Sequence, residues 1–507
     1  MATRPALVLA WLGLACAPAG AAQDTPLSAI DWLSDTIETA PQAPPAATAP
    51  AATTPDDIDV LPLDAPVSDG AGLKDAEELG LDPGLWGRSS AGDLSRALER
   101  VQINASSAPS LLNFYLDLIG ARFDPPIDAV IDQDFFLARI DRLLGLGHLD
   151  DAAALIEAAG VTNEENFRRQ FDIALLQGSE TEMCRLIEQT PDLSPTYPAR
   201  IFCLARLGQW DIAALTLGNA ETLGILSERE DKLLLHFLDP ELFEGEPLPP
   251  APRLPSPLLF RLFEAVGERI STSGLPVAFA VADFGTTVGW KTRLRAAERL
   301  AATGALEMDA LLDVYQEREP AASGAEWNRV AALQALAKAL QDGSEPVIEK
   351  ALPDAWNAAK EADFEHPFAN WVAQILPKNF DAARSLTFEI ALFAENPTLA
   401  ARFASGSEQD QFLLALAQGT PPPPGHDPLT RAVLRGLSAI NPGPEYQALI
   451  DDDRKGEALF RALAQLNEGA AGNPNATANS LAFLRTLGLD GLARQIAVEL
   501  ILMESTA

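Results

Sequence analysis

Three times within one stretch of this chain, a helical pattern ending in leucines runs into a glycine and restarts on an acidic residue. Leu144-Gly145-Leu146-Gly147-His148-Leu149-Asp150-Asp151-Ala152 comes first, then Leu175-Leu176-Gln177-Gly178, then Ala205-Arg206-Leu207-Gly208-Gln209-Trp210-Asp211-Ile212-Ala213. Glycine supplies the left-handed backbone that ends a helix, and an acid in the next first turn complements the helix dipole. A unit of two short helices cannot bury its apolar stripe alone and must stack on its neighbours. From about residue 91 onward the apolar spacing is helical, and strand patterning is nearly absent. The expected fold class is all-α: a helical-repeat array, or α-solenoid, preceded by a disordered Pro/Ala/Thr-rich segment.

The turn form Gly-x-[Leu/Trp]-Asp-x-Ala resembles the inter-helix turn of tetratricopeptide repeats, in which a small residue past the glycine lets two helices approach closely. The period is shorter than the roughly 34 residues of that family, and Met183 stands where the middle copy should have alanine. The resemblance implies tetratricopeptide-like repeats over residues 91–244. Pro247, Pro249, Pro250, Pro252 and Pro255 then crowd one stretch that no helix can cross. We therefore expect a Pro-rich linker at 245–256 and a second, C-terminal helical-repeat domain at 257–507. Glycine turns recur in that region within 295–306, 332–343 and 484–497, without a constant period.

The N-terminus reads as an export leader over residues 1–22. Arg4 gives a positive start, Ala6 to Ala17 an apolar core too short to span a bilayer, and small residues follow at the signal-peptidase spacing. Lipidation at Cys16, giving an outer-membrane lipoprotein, is a minor alternative, because Gly13 stands where a lipobox needs an aliphatic residue. Residues 23–90 read as a disordered tether with short apolar motifs. One island carries Trp32, Leu33 and Ile37, a second is Ile58 to Leu63, and a third carries Leu85 and Trp86. These motifs either dock on another protein or pack on this chain's own helical body.

Cys184 and Cys203 are the only cysteines outside the leader. They fall on successive helices joined by a short connection, so in an exported chain a disulfide between them is expected. Closing such a loop contributes about 3 kcal/mol in the chain-entropy picture. Two separate buried thiols are the alternative.

The formal net charge is -35, and the acids are spread along the chain. Such a field repels phosphate backbones and argues against nucleic-acid binding. No later stretch is long and apolar enough for an integral membrane segment in the mature chain. Catalytic, cofactor and metal signals are missing. None of His148, His236, His366 and His426 shares a helix face with another or has a neighbouring cysteine. Gly285 to Thr292 (GTTVGWKT) resembles a phosphate loop, but Trp290 separates the glycine from Lys291. Neither Ser89 nor Ser90 has the two flanking glycines of a nucleophile elbow. Carboxylates are too numerous for the sequence to single out a catalytic pair.

The segments SAIDWLSDTI (28–37), GLWGRSSAGDL (84–94) and RIFCLARLGQWDIAALTL (200–217) together resemble a group of uncharacterised exported alphaproteobacterial proteins. Some members carry the automated label "antifreeze glycopeptide", which the Ala/Thr/Pro tract would attract; a disordered tract offers no flat rigid surface to ice. The resemblance implies a Gram-negative periplasm and supplies neither an activity nor functional residues. The expected function is a periplasmic scaffold or adaptor that mediates protein–protein interactions with other envelope proteins. The alternative is a peptidoglycan-acting enzyme or its accessory subunit. A convergent cleft holding a glutamate of raised pKa would favour the enzyme. A groove lined by exposed apolar and Arg residues would favour the adaptor.

Overall fold

The computed structural model describes Trp32 and residues 68–506, apart from 130–132, 161–162, 286, 321–323 and 470–471. Among the described residues there are 24 α-helices and one two-residue parallel ladder, Lys74–Asp75 beside Ala121–Arg122, so the fold is all-α. None of these helices is long and apolar enough to cross a membrane.

The three glycine turns lie where the sequence places them. Asp134–Gly145 pairs with Leu149–Ala159, Glu164–Gln177 with Thr181–Gln189, and Tyr197–Arg206 with Trp210–Leu223. Gly147, Gly178 and Gly208 have φ of 86°, 73° and 80°, a region that side chains disfavour. Gly147 has a second reason to be glycine: a Cβ there would stand 2.9 Å from Val277 and 3.1 Å from Leu300. His148 fixes this turn, with Nδ1 2.9 Å from Asp151 and Nε2 2.9 Å from the Thr303 carbonyl. Cys184 and Cys203 are bonded to each other, joining helices Thr181–Gln189 and Tyr197–Arg206 through a buried apolar cluster.

Two expectations about domains need correction. Residues 245–256 contain no helix, yet they do not separate two domains. The next helix, Pro257–Ala265, folds back on Glu164–Gln177, where Leu258, Leu262 and Phe263 share one apolar cluster with Phe167, Phe171 and Leu175. Arg261 also donates to the carbonyls of Leu175 and Leu176 in the last turn of that helix. The prolines break the helix, but the extended chain they impose reaches back to the core.

The second correction concerns residues 23–90, which are not a disordered tether throughout: from Ser68 the chain is built into the body. The fully buried Arg139 guanidinium donates to the carbonyls of Ile119, Asp69, Ala71 and Ala121 at 2.7–3.2 Å, tying this segment down through its backbone. Leu85 and Trp86 are each 2% exposed. The Trp86 ring lies 4.6 Å from Phe123, 5.1 Å from Phe135 and 5.8 Å from Phe460. These two residues dock in cis. Trp32 is also buried, edge-on to Phe279 at 5.3 Å. Leu33, Ile37, the Ile58 to Leu63 island and the leader lie outside the described residues.

Phe460 belongs to Lys455–Asn467, near the other end of the chain, so the Trp86 contact brings the two ends of the array together. Backbone bonds reinforce the meeting: Gly456 N–H donates to Leu85 at 3.1 Å and Arg88 N–H to Asp453 at 2.8 Å. Gly456 must be glycine, since a Cβ there would overlap the six-membered ring of Trp86. A second tie lies deeper. Ser110, in helix Pro109–Gly120, donates its N–H (2.9 Å) and hydroxyl (2.5 Å) to the fully buried carboxyl of Glu499 in the last helix, Asp490–Thr506. The array closes on itself.

Two outcomes follow from this packing. Trp86→Ala should lower stability by about 3–5 kcal/mol, the usual cost of emptying an aromatic core site, and Gly456→Val should also be clearly destabilising. Circular-dichroism melts check both, and an unchanged melting temperature in either variant contradicts the closure. Cys184→Ser should lower stability by about 2–5 kcal/mol in chemical denaturation. Ready alkylation of both thiols in the native wild-type protein would disprove the bond.

Candidate functional site

Closure of the array forms a cleft, open to solvent on one side, with a volume of about 600 Å³. It forms where the loop before Pro109–Gly120, the turn before Met308–Gln316, the turn before Glu365–Ile375, helix Arg384–Phe393 and Met503 of the last helix converge. Its chemistry centres on the turn at 360–366. Helix Glu345–Glu361 ends there, Asp363 takes a left-handed backbone (φ 55°), and Phe364 N–H returns to the Ala359 carbonyl at 3.0 Å. Asp is among the few side chains that accept this conformation readily. Phe364 is fully buried 6.3 Å from the Tyr315 ring. Tyr315 is itself fixed by a 2.6 Å bond to Glu298, which Arg329 clamps with two bonds at 2.9 and 2.8 Å. The anchored Phe364 places Glu365 and His366 in the first turn of their helix, facing the cavity.

Burial pushes the Glu365 carboxyl up to about 7; the nearby Asp363 and Glu389 carboxylates add to the rise, while its own backbone N–H and Lys360 oppose it. Burial holds His366 down to about 4, so its ring is neutral at pH 7. Asn370, one turn on, donates to His366 Nε2 at 3.1 Å, which leaves the proton on Nδ1. Glu389 accepts from the Trp356 indole at 3.2 Å, and Lys360 lies 5.7 Å from the same ring. A half-protonated carboxyl in a cleft is suited to proton transfer or to holding a cation. Among the described residues no group of three or more His, Cys, Asp or Glu side chains is placed to hold a metal ion.

A second feature lies far from the cavity in sequence. Helix Trp210–Leu223 buries only Ala213, Leu217 and Ala220. Its outer face leaves Ile212, Leu215 and Leu223 exposed, at 51, 66 and 70%, and Ile225 follows just beyond. At 100° per residue, Ile212, Leu215, Asn219 and Leu223 form one stripe, about 120° round the helix from the buried one. Large apolar side chains gathered on one exposed helix face mark an interaction surface more often than scattered ones do.

Of the residues singled out in the sequence, Cys184 and Cys203 come together as a bond, while Leu85, Trp86 and Trp32 are spent on internal packing. Neither the cavity nor the helix stripe was found from the sequence. The adjacency of Asp363, Glu365 and His366 was its only local trace, and so many acids surround it that the trace has no contrast. The 210–223 helix is apolar nearly all round, a pattern that reads equally well as a core helix.

The buried acids make stability depend on pH. Glu365 and Glu499 both titrate near 7 in the fold against an ordinary 4.5; for Glu499 burial is the main cause. Falling pH protonates the folded chain before the unfolded one, so each acid adds stability as pH drops from about 7 to about 4.5. His366 acts oppositely: its folded value is about 4 against 6.5, so stability is lost as pH falls between those values. Glu499→Gln isolates one contribution. The variant should gain on the order of 3 kcal/mol over wild type at high pH and lose that advantage near pH 4.5, as read from urea melts. An unchanged difference across this range contradicts the assignment. Comparison of the chain with family models, with curated proteins and with solved structures finds no match.

Proposed function

We propose that the protein is a periplasmic helical-repeat scaffold or adaptor that binds other envelope proteins. The exposed stripe of Ile212, Leu215 and Leu223 carries this reading, because it offers a helix-long apolar seam with no partner among the described residues. A seam of this spacing suits an amphipathic helix laid alongside it. The exposed Asp211 and Glu221 on the same helix, with the net charge of -35, favour a partner helix with basic flanks. The Cys184–Cys203 bond stiffens the helices beneath the seam and is in keeping with an oxidising compartment.

A second reading, a peptidoglycan-acting enzyme or its accessory subunit, is favoured by one observation: the convergent cavity holds Glu365 with a carboxyl pushed up to about 7. A second carboxylate, Glu389, contributes to that rise, but no activated nucleophile is evident beside the pair.

Proximity labelling in the native compartment tests the adaptor. Ile212→Asp with Leu215→Asp should remove the labelled partners while shifting the melt little, because both side chains are exposed. An identical labelled set with the double variant overturns the adaptor reading. Release of fragments from purified cell-wall sacculi by wild type, lost in Glu365→Gln, would establish the enzyme instead.

A further inference from the structure

The cavity has a lining that a docking role does not use. Five carboxylates line it, Glu307, Asp309, Asp363, Glu365 and Glu389, against one basic residue, Lys360. They come from three separate segments of chain, so the excess negative charge is a property of the cleft and not of one acidic run. A cleft with walls of low dielectric concentrates such a field. Between the carboxylates lie apolar surfaces: Trp371 and Phe393, with Met308 and Met503. The amides of Asn113, Asn370 and Gln374 also reach the space. At about 600 Å³ the cavity is far larger than a hydrated ion needs and lies within the usual range for organic ligands.

We propose that this cavity binds a linear polyamine, a ligand of ammonium groups separated by runs of methylenes. Each part of the lining has a counterpart in such a molecule. The carboxylates accept charge-assisted bonds from the ammonium groups. Trp371 and Phe393 take methylenes on their faces and can attract an adjacent cation. The amide oxygens accept the remaining N–H donors. A neutral polyol would satisfy the amides and leave the carboxylate charge uncompensated.

The site also couples binding to protons. Glu365 is faced by Asp363 and Glu389, which disfavour its ionisation, and by Lys360, which favours it. Glu307 and Asp309 line the same cleft, and His366 is neutral beside Glu365. A bound ammonium stabilises the ionised Glu365, so binding releases a proton below about pH 7 and tightens as pH rises through that value. This proposal is independent of the Ile212 seam.

Isothermal titration of the full chain with spermidine, in about 0.15 M salt, tests it. One molecule should bind per chain, about tenfold more tightly at pH 8 than at pH 6. Glu365→Gln should flatten that pH dependence. Asp363→Asn should weaken binding several-fold, and Glu307→Gln serves in its place if the 363 variant fails to fold. Absence of binding overturns the proposal. Equal binding by Mg²⁺, or affinity unchanged in all variants, shows a diffuse counter-ion effect and overturns it too. Saturable binding of a neutral oligosaccharide in place of spermidine would assign the cavity to a different ligand. Loss of the adaptor's partners in the Ile212/Leu215 variant, with spermidine binding intact, separates the two readings.

Discussion

Trp86 against Gly456 is the contact on which the rest of the arrangement depends. A stack of helix pairs ordinarily runs open, with each pair touching only its neighbours. Here an indole from before the first helix fills the space above a glycine late in the chain and packs on Phe460, Phe135 and Phe123. An apolar contact spanning so much sequence is entropically expensive to form, and large aromatic burial is what offsets that cost. Once it forms, helix Ala91–Glu99 lies on Lys455–Asn467, and Pro109–Gly120 lies on Asp490–Thr506. The cavity exists only because of this meeting, since its lining runs from residue 105 to residue 503.

Closure also decides how charge is distributed. A chain of net charge -35 repels itself, and its interior holds only ions with strong partners. Arg169 meets Asp141 through two bonds at 2.6 and 2.8 Å, and both side chains are almost wholly buried. Arg139 donates to four backbone carbonyls, and the charge of Asp69 favours its ionised form. Where neither solution applies, burial keeps the carboxyl protonated nearer neutral pH, as at Glu499 in the core and Glu365 in the cleft. The exposed seam on Trp210–Leu223 and the acidic cavity are thus separate surfaces, one governed by apolar area and one by charge.

The helical class, the glycine turns and the cysteine pair were legible because each is a local matter. Gly147, Gly178 and Gly208 announce left-handed turns within a few residues of chain, and the 3.6-residue period sets which helix faces turn inward. Two cysteines on successive helices leave little choice of partner. Composition misled for 68–90, because few apolar residues in a proline-rich surrounding look disordered whatever they touch. Leu85 and Trp86 are held in part by residues hundreds of positions away, and Arg139 holds their segment through carbonyls that every residue possesses.

The sequence by itself determined that this chain forms short paired helices, that prolines interrupt them near residue 250, and that one disulfide staples the third repeat to the second. Tertiary structure alone decided that the proline run is a connection within one interlocked body, that the array closes, and that Glu365 and His366 face an acidic cleft. Secondary structure follows from torsions, turn chemistry and apolar period within a few residues. Closure and cavity follow from the fit of side chains brought together from opposite ends of the chain, and no window of sequence contains both halves of that fit.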